Sequence, residues 1–197
     1  MPWEHAIVGY IGYSILVRVL YRDRPTTRET IVVLFASILP DLIDKPLAWQ
    51  FNIFPSGYAI GHSIFFAVPV SVVVFSLVRR RGKERLGIAF GVGYLLHLPA
   101  DVFPQYIRQG TLPTYRVLWP LRQQGSGYEG GFAGEFRENF SSYLGWISEQ
   151  IASGNPDPYL FVLLGVAGLG LLLWIADGMP IGREIYDAFR RVLKKAE

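Results

Sequence analysis

The chain contains three histidines, and each stands in or beside a long apolar stretch. His97 and Asp101 lie four apart in "GYLLHLPADVFP", and Asp41 and Asp44 lie three apart in "ILPDLIDKP". Residues at these spacings share a helix face, so each pair can act as a unit. His62 follows Gly61 in "IGHS", where the glycine permits close approach, and His5 opens the first apolar block. Ionisable groups inside such blocks are costly and usually mark a site or a pathway. Imidazole and carboxylate together, with no thiolate, form a hard to borderline donor set suited to Zn²⁺, Mn²⁺ or Fe²⁺. Three or four such ligands with an open position describe a catalytic centre.

The elements that must position these residues read as membrane helices. Of 197 residues, 51% are apolar, and mean hydropathy is +0.27. The apolar residues concentrate at 6–20, 30–49, 58–78, 86–103 and 158–176, each near the ~20 residues that cross ~30 Å of hydrocarbon. The spacing predicts an all-α, polytopic bundle of about five transmembrane helices. "MPWEH" carries Glu4 and no basic run, so the first block is expected to remain as a span. Cations gather at Arg22, Arg24 and Arg28, at Arg79 to Arg85, and in the C-terminal tail. The positive-inside rule then places the N-terminus outside, the C-terminus in the cytosol, and loops two and four outside. "RRRGKER" reads as part of this pattern, and nucleic acid is not an expected partner. The absence of cysteine says little about compartment.

Counting ~1.5 Å per residue from each cytosolic helix end puts Asp41 and His97 at about 17 Å. His5, Asp44, His62 and Asp101 fall at about 21 to 24 Å, so all six share one layer in the outer half of the membrane. Pro40 and Pro99 stand beside the two pairs and should loosen the helix there. Residues 105–157 form a long fourth loop. In it Phe132, Phe136, Phe140, Tyr143, Leu144, Ile147 and Ile151 make a stripe at helical spacing. That stripe predicts either an interfacial helix on the outer leaflet or one packed on the bundle. The chain divides into a membrane domain, 1–178, and a basic amphipathic tail, 179–197. In the tail Ile181, Ile185, Phe189, Val192 and Leu193 oppose Arg183, Arg190, Arg191, Lys194 and Lys195.

With "LPDLID", "GHS", "GYLLHLPADVFP" and "LWP" in this order after His5, the first 120 residues resemble the membrane-bound metal-dependent hydrolases. That family includes LexA-regulated inner-membrane proteins of bacteria. The resemblance implies His5, Asp41, His62, His97 and Asp101 as the metal-site residues. The chain departs from the family's pattern at Lys45, where many members have His, and at Gly57 and Tyr58, where they have a His-Arg pair. The order His, "PD", His, "HxxxD" is also similar to part of the zinc phospholipase C and P1 nuclease pattern. In that pattern Asp41, His62, His97 and Asp101 would hold one ion, with His5 beside a second.

The expected function is a membrane-embedded hydrolase with a divalent cofactor, Zn²⁺ first. Its substrate would be a phosphoester or ester of a lipid or amphiphile at the extracytoplasmic leaflet. Asp44 is the candidate general base or ligand-orienting group, Ser63 a candidate to orient His62, and Arg108, Arg116 or Arg122 candidates to hold a phosphate. The stripe from Phe132 to Ile151 could cover the site. A transporter or proton or metal-ion pathway is the alternative, and a structural membrane protein with a metal site the third reading.

Overall fold

The computed structural model describes residues 1–125 and 127–196, the side chains of 193–196 excepted, so the expected places of Leu193, Lys194 and Lys195 on the tail lie outside the described residues. The helices are α1 (Pro2–Tyr21), α2 (Thr27–Trp49), α3 (Ile64–Arg79), α4 (Glu84–Gln109), α5 (Gly131–Ala152), α6 (Pro158–Ala176) and α7 (Gly182–Ala196), with a 3-10 turn at Thr114–Arg116 and no strand among the described residues.

Local chemistry sets several of these boundaries. Thr26 and Glu29 cap α2 reciprocally: Thr26 Oγ1 accepts from the Glu29 amide at 3.4 Å, and Glu29 Oε2 accepts from the Thr26 amide at 2.9 Å. Asp157 caps α6 through the Tyr159 amide, with Pro158 at the first helical position. α4 runs past Pro99 and Pro104 and stops at Gly110, whose φ of 68° favours glycine.

The centre is built from α1, α2 and α4. α3 packs on the outer side of α4, and α6 on α1. Tyr10, Tyr13, Val17, Val33 and Ala89 form one buried cluster, and Ala36, Ala67, Tyr94 and Leu98 another. Backbones come close because side chains are missing. A Cβ on Gly93 would lie 2.5 Å from the Val33 carbonyl and 3.0 Å from Ala36 Cβ, so only glycine lets α4 approach α2 here. The outward faces carry Ile31, Phe35, Leu42, Phe65, Val72, Leu77, Phe161, Leu164 and Leu172, all exposed large apolar residues. Such a rim is stable against lipid and costly against water.

One expectation needs correction. The third apolar block does not start its helix at Tyr58; α3 begins at Ile64 and has 16 residues, and His62 stands in the turn before it. Two helices, α4 and α6, are long and apolar enough to cross a membrane by length and composition. α2 spans 23 residues, but Arg28, Glu29, Asp41, Asp44 and Lys45 within it lower its hydropathy.

Candidate metal centre

The three histidines and three of the aspartates converge at one end of the α1, α2, α4 core, and all six residues are buried. α1 brings His5, α2 brings Asp41 and Asp44, the turn before α3 brings His62, and α4 brings His97 and Asp101. His62 Nε2 lies 3.0 Å from His97 Nε2, 3.4 Å from Asp41 Oδ1 and 3.2 Å from Asp101 Oδ2. His97 Nε2 lies 3.1 Å from Asp101 Oδ2 and 3.9 Å from Asp41 Oδ1. His5 Nε2 is 3.3 Å from Asp101 Oδ1, and its ring lies against that of His97, tilted by 36° with centroids 4.0 Å apart. Donor atoms of His5, His97 and Asp101 lie within 4.8 Å of one another, and so do those of Asp41, His62 and His97.

What the arrangement can do follows from where its protons sit. His62 Nδ1 is 2.8 Å from Asp44 Oδ2, and His97 Nδ1 is 2.6 Å from the Ser37 carbonyl, in the turn of α2 before Pro40. Both partners are acceptors only, so each Nδ1 carries a proton, and each ring turns its Nε2 to the centre, where it offers a lone pair whenever the ring is neutral. Asp41 Oδ2 and His5 Nδ1 are buried without a hydrogen-bond partner, and Asp101 Oδ2 meets the two Nε2 atoms at 3.1 and 3.2 Å. With both rings neutral, lone pairs therefore face lone pairs and carboxylates. Buried acceptors in that relation are unfavourable unless a cation lies among them. The donor set, two to three imidazoles and two carboxylates, fits a Zn²⁺-like ion.

Asp44 has a different task from the one that general-base chemistry needs. Its carboxylate accepts from the amides of Ala59 (2.8 Å), Gly61 (2.9 Å) and His62 (3.0 Å), besides His62 Nδ1. Four donors saturate it, leaving no lone pair aimed at a substrate. It pins the 59–62 turn and orients the imidazole. Gly61 is required by the same contact, since a Cβ there would stand 3.0 Å from the Pro40 carbonyl and 3.2 Å from Asp44 Oδ1. Ser63 does not orient His62; its Oγ donates to the Trp119 carbonyl at 2.6 Å and ties the loop after α4 to the start of α3. Arg122 is exposed on Thr114 Oγ1, away from the cluster.

A cavity of about 820 Å³ opens onto the cluster, lined among others by His5, Asp41, Asp101, Lys45, Arg108 and Arg116. Arg116 donates to the Asp101 carbonyl at 2.7 Å and lies over Tyr58, 5.0 Å from its ring centre. Burial alone would lower the pKa of Arg116; Tyr58, Tyr115 and Asp101 around it raise it instead, and the guanidinium stays charged.

α5 crosses the mouth of this cavity, held at three aromatic posts. Phe132 meets Trp49 with ring centres 5.7 Å apart, Tyr143 meets Trp3 at 5.4 Å, and Trp146 meets Tyr159 at 5.8 Å. The Tyr143 hydroxyl donates to Glu4 Oε1 at 2.8 Å; burial and that bond push it up to about 12, so it remains a donor at neutral pH. The apolar stripe thus puts Phe132, Phe136 and Tyr143 in the cavity lining, which Leu144 and Ile151 do not join. Sequence reasoning missed Trp49 and Trp146, whose indole N–H groups are buried, lack partners and belong to cavity-lining residues. The cation–π contact of Lys45 with Trp49, one turn on, was the available signal for the first.

The helices and the buried cluster define an all-α membrane protein with a candidate metal centre near one end of its core. Residues 1–177 match the YdjM inner membrane protein family, to which the chain belongs. No curated protein and no solved structure matches it significantly.

Proposed function

We propose that the protein is a metal-dependent hydrolase of a phosphoester or ester in a lipid or amphiphilic substrate. One observation carries this reading: buried imidazole and carboxylate acceptors from four segments converge, partly unpartnered, beneath a cavity of about 820 Å³. His5, Asp41, His62, His97 and Asp101 would hold the ion. Bound there, a divalent cation supplies Lewis acidity, polarising the scissile group and lowering the pKa of water toward ~7. Asp44 fixes the tautomer and angle of His62, as the Ser37 carbonyl does for His97. Asp41 Oδ2 and Asp101 Oδ2 are the acceptors able to take a proton, which is the role Asp44 cannot fill. Arg116 and Arg108 stand where an anionic head group would enter, and α5 screens the centre from bulk water.

The same reading takes α1, α2, α3, α4 and α6 as five crossings, with the cluster toward the extracytoplasmic side and α7 on the cytosolic face. The apolar rim and the charge layout support it. Arg85, at the start of α4, bonds Asp23 Oδ2 (2.8 Å) and the Arg24 carbonyl (3.0 Å), so the cations of the first and third loops share one end of the bundle.

Elemental analysis of chelator-washed, detergent-purified protein tests the proposal. Wild type should retain or rebind about one equivalent of metal, and His62→Ala and His97→Ala little. Hydrolysis of phospholipids and isoprenoid phosphates would then be screened. A second reading, a proton or ion pathway, is favoured by the 3.0 Å separation of the two Nε2 atoms, which a shared proton would also satisfy. Uptake by sealed vesicles without turnover of any lipid would select it.

A further inference from the structure

Lys45 stands one turn after Asp41 on α2, and its Nζ lies 2.7 Å from Asp41 Oδ1. That oxygen lies 3.4 and 3.9 Å from the Nε2 atoms of His62 and His97. The other oxygen, Oδ2, is buried and without a partner. An ammonium that merely neutralised a buried carboxylate could have taken either oxygen; this one takes the donor atom that the centre needs. A divalent cation and an ammonium on one carboxylate oxygen repel each other. Lys45 also has somewhere else to go. It lines the cavity, and its Nζ already lies 5.5 Å from the Trp49 ring, a surface on which a cation is attracted. Lysine suits this exchange better than arginine, being a compact charge on a flexible stem rather than a planar fork.

We propose that Lys45 is an internal competitor for the metal centre: its ammonium holds Asp41 Oδ1 until a divalent cation displaces it into the cavity, where it is free to bind an anionic group of the substrate. The inference rests on the metal reading above. It makes Lys45 a positioning residue that lowers affinity for the ion and couples loading of the centre to completion of an anion site. The vacated ammonium and Arg116 would then flank the entering group from α2 and from the turn after α4.

The test uses the full chain in detergent, stripped with chelator and titrated with Zn²⁺ and with Mn²⁺. Lys45→Met keeps length and removes charge, and should tighten metal binding about tenfold. Lys45→Arg keeps the charge and should stay within about threefold of wild type. In parallel, wild type is acetylated with an amine-reactive reagent with and without Zn²⁺, and the lysine-bearing peptides are quantified by mass spectrometry. Lys83, in the turn before α4 at the far end of the bundle, is the internal standard. Zn²⁺ should raise the reactivity of Lys45 several-fold relative to Lys83. Equal or weaker metal binding by Lys45→Met overturns the inference and leaves Lys45 as a support for Asp41. Should that variant fail to fold, unchanged acetylation of Lys45 in wild type overturns it independently. If wild type binds no metal at all, the metal reading itself falls, an outcome distinct from equal binding by wild type and Lys45→Met.

Discussion

α1 carries polar residues into two buried clusters at opposite ends of the bundle, and the two clusters differ in one respect. At the end near α7, Asp177 is buried and accepts from Tyr10 Oη at 2.6 Å, from Ser14 Oγ at 2.7 Å and from Arg18. Each carboxylate oxygen there meets a donor from the same chain. At the other end, Asp41 Oδ2 is buried without a partner, and Asp101 Oδ2 meets the ring nitrogens of His62 and His97. A buried carboxylate with its own donors is a latch between helices. A buried carboxylate oxygen that no donor of the chain reaches, as at Asp41 Oδ2, leaves a place for a ligand from outside. The contrast separates structure from site more sharply than the burial of a carboxylate, which is common to both ends.

The comparison can be broken most directly by removing one of the converging nitrogens. His97→Ala or His62→Ala should lower metal affinity by about 100-fold or more while leaving helical content by circular dichroism near wild type. Loss of fold with retained affinity would reverse the assignment of the two ends. Asp177→Ala should do the opposite. It leaves Tyr10, Ser14 and Arg18 without their acceptor, and should cost about 2 to 4 kcal/mol in detergent denaturation with metal affinity unchanged. Asp44→Asn tests the intermediate case, a carboxylate that belongs to the site but is satisfied. Four donors converge on it, so the amide should weaken metal binding by about 10- to 100-fold without abolishing it. Ser63→Ala removes one buried hydrogen bond and should cost about 1 kcal/mol of stability, with metal affinity within error of wild type. The smallest effect belongs to Arg122→Ala, which should leave both quantities within about twofold because the side chain is exposed on Thr114.

The five ligand candidates were legible before any coordinates because their background is apolar: an imidazole or carboxylate in such a run has few reasons to be there. Helix counting even placed them in one layer, since a 1.5 Å rise per residue converts sequence position to depth. The same arithmetic assumed that the His62 block was helical throughout, whereas His62 stands in the turn before α3. The 59–62 turn is held by three amides on Asp44, and backbone amides carry no residue label to read. α5 was legible as amphipathic, yet its stripe could not say which face meets the cavity, and Trp146 fell outside the pattern while lining it. Asp177 sits just past the last apolar block, and nothing in its sequence position marks it as a latch on α1.

Sequence alone therefore determined that this is a helical membrane chain with a rare set of ionisable groups at a common depth, because hydropathy and spacing are local properties. Which oxygen accepts from which donor, which imidazole nitrogen turns to the centre, and where Lys45 rests were decided only when helices distant in sequence packed together. Hydrogen-bond satisfaction belongs to a pair of atoms in space, and no single position along the chain contains it.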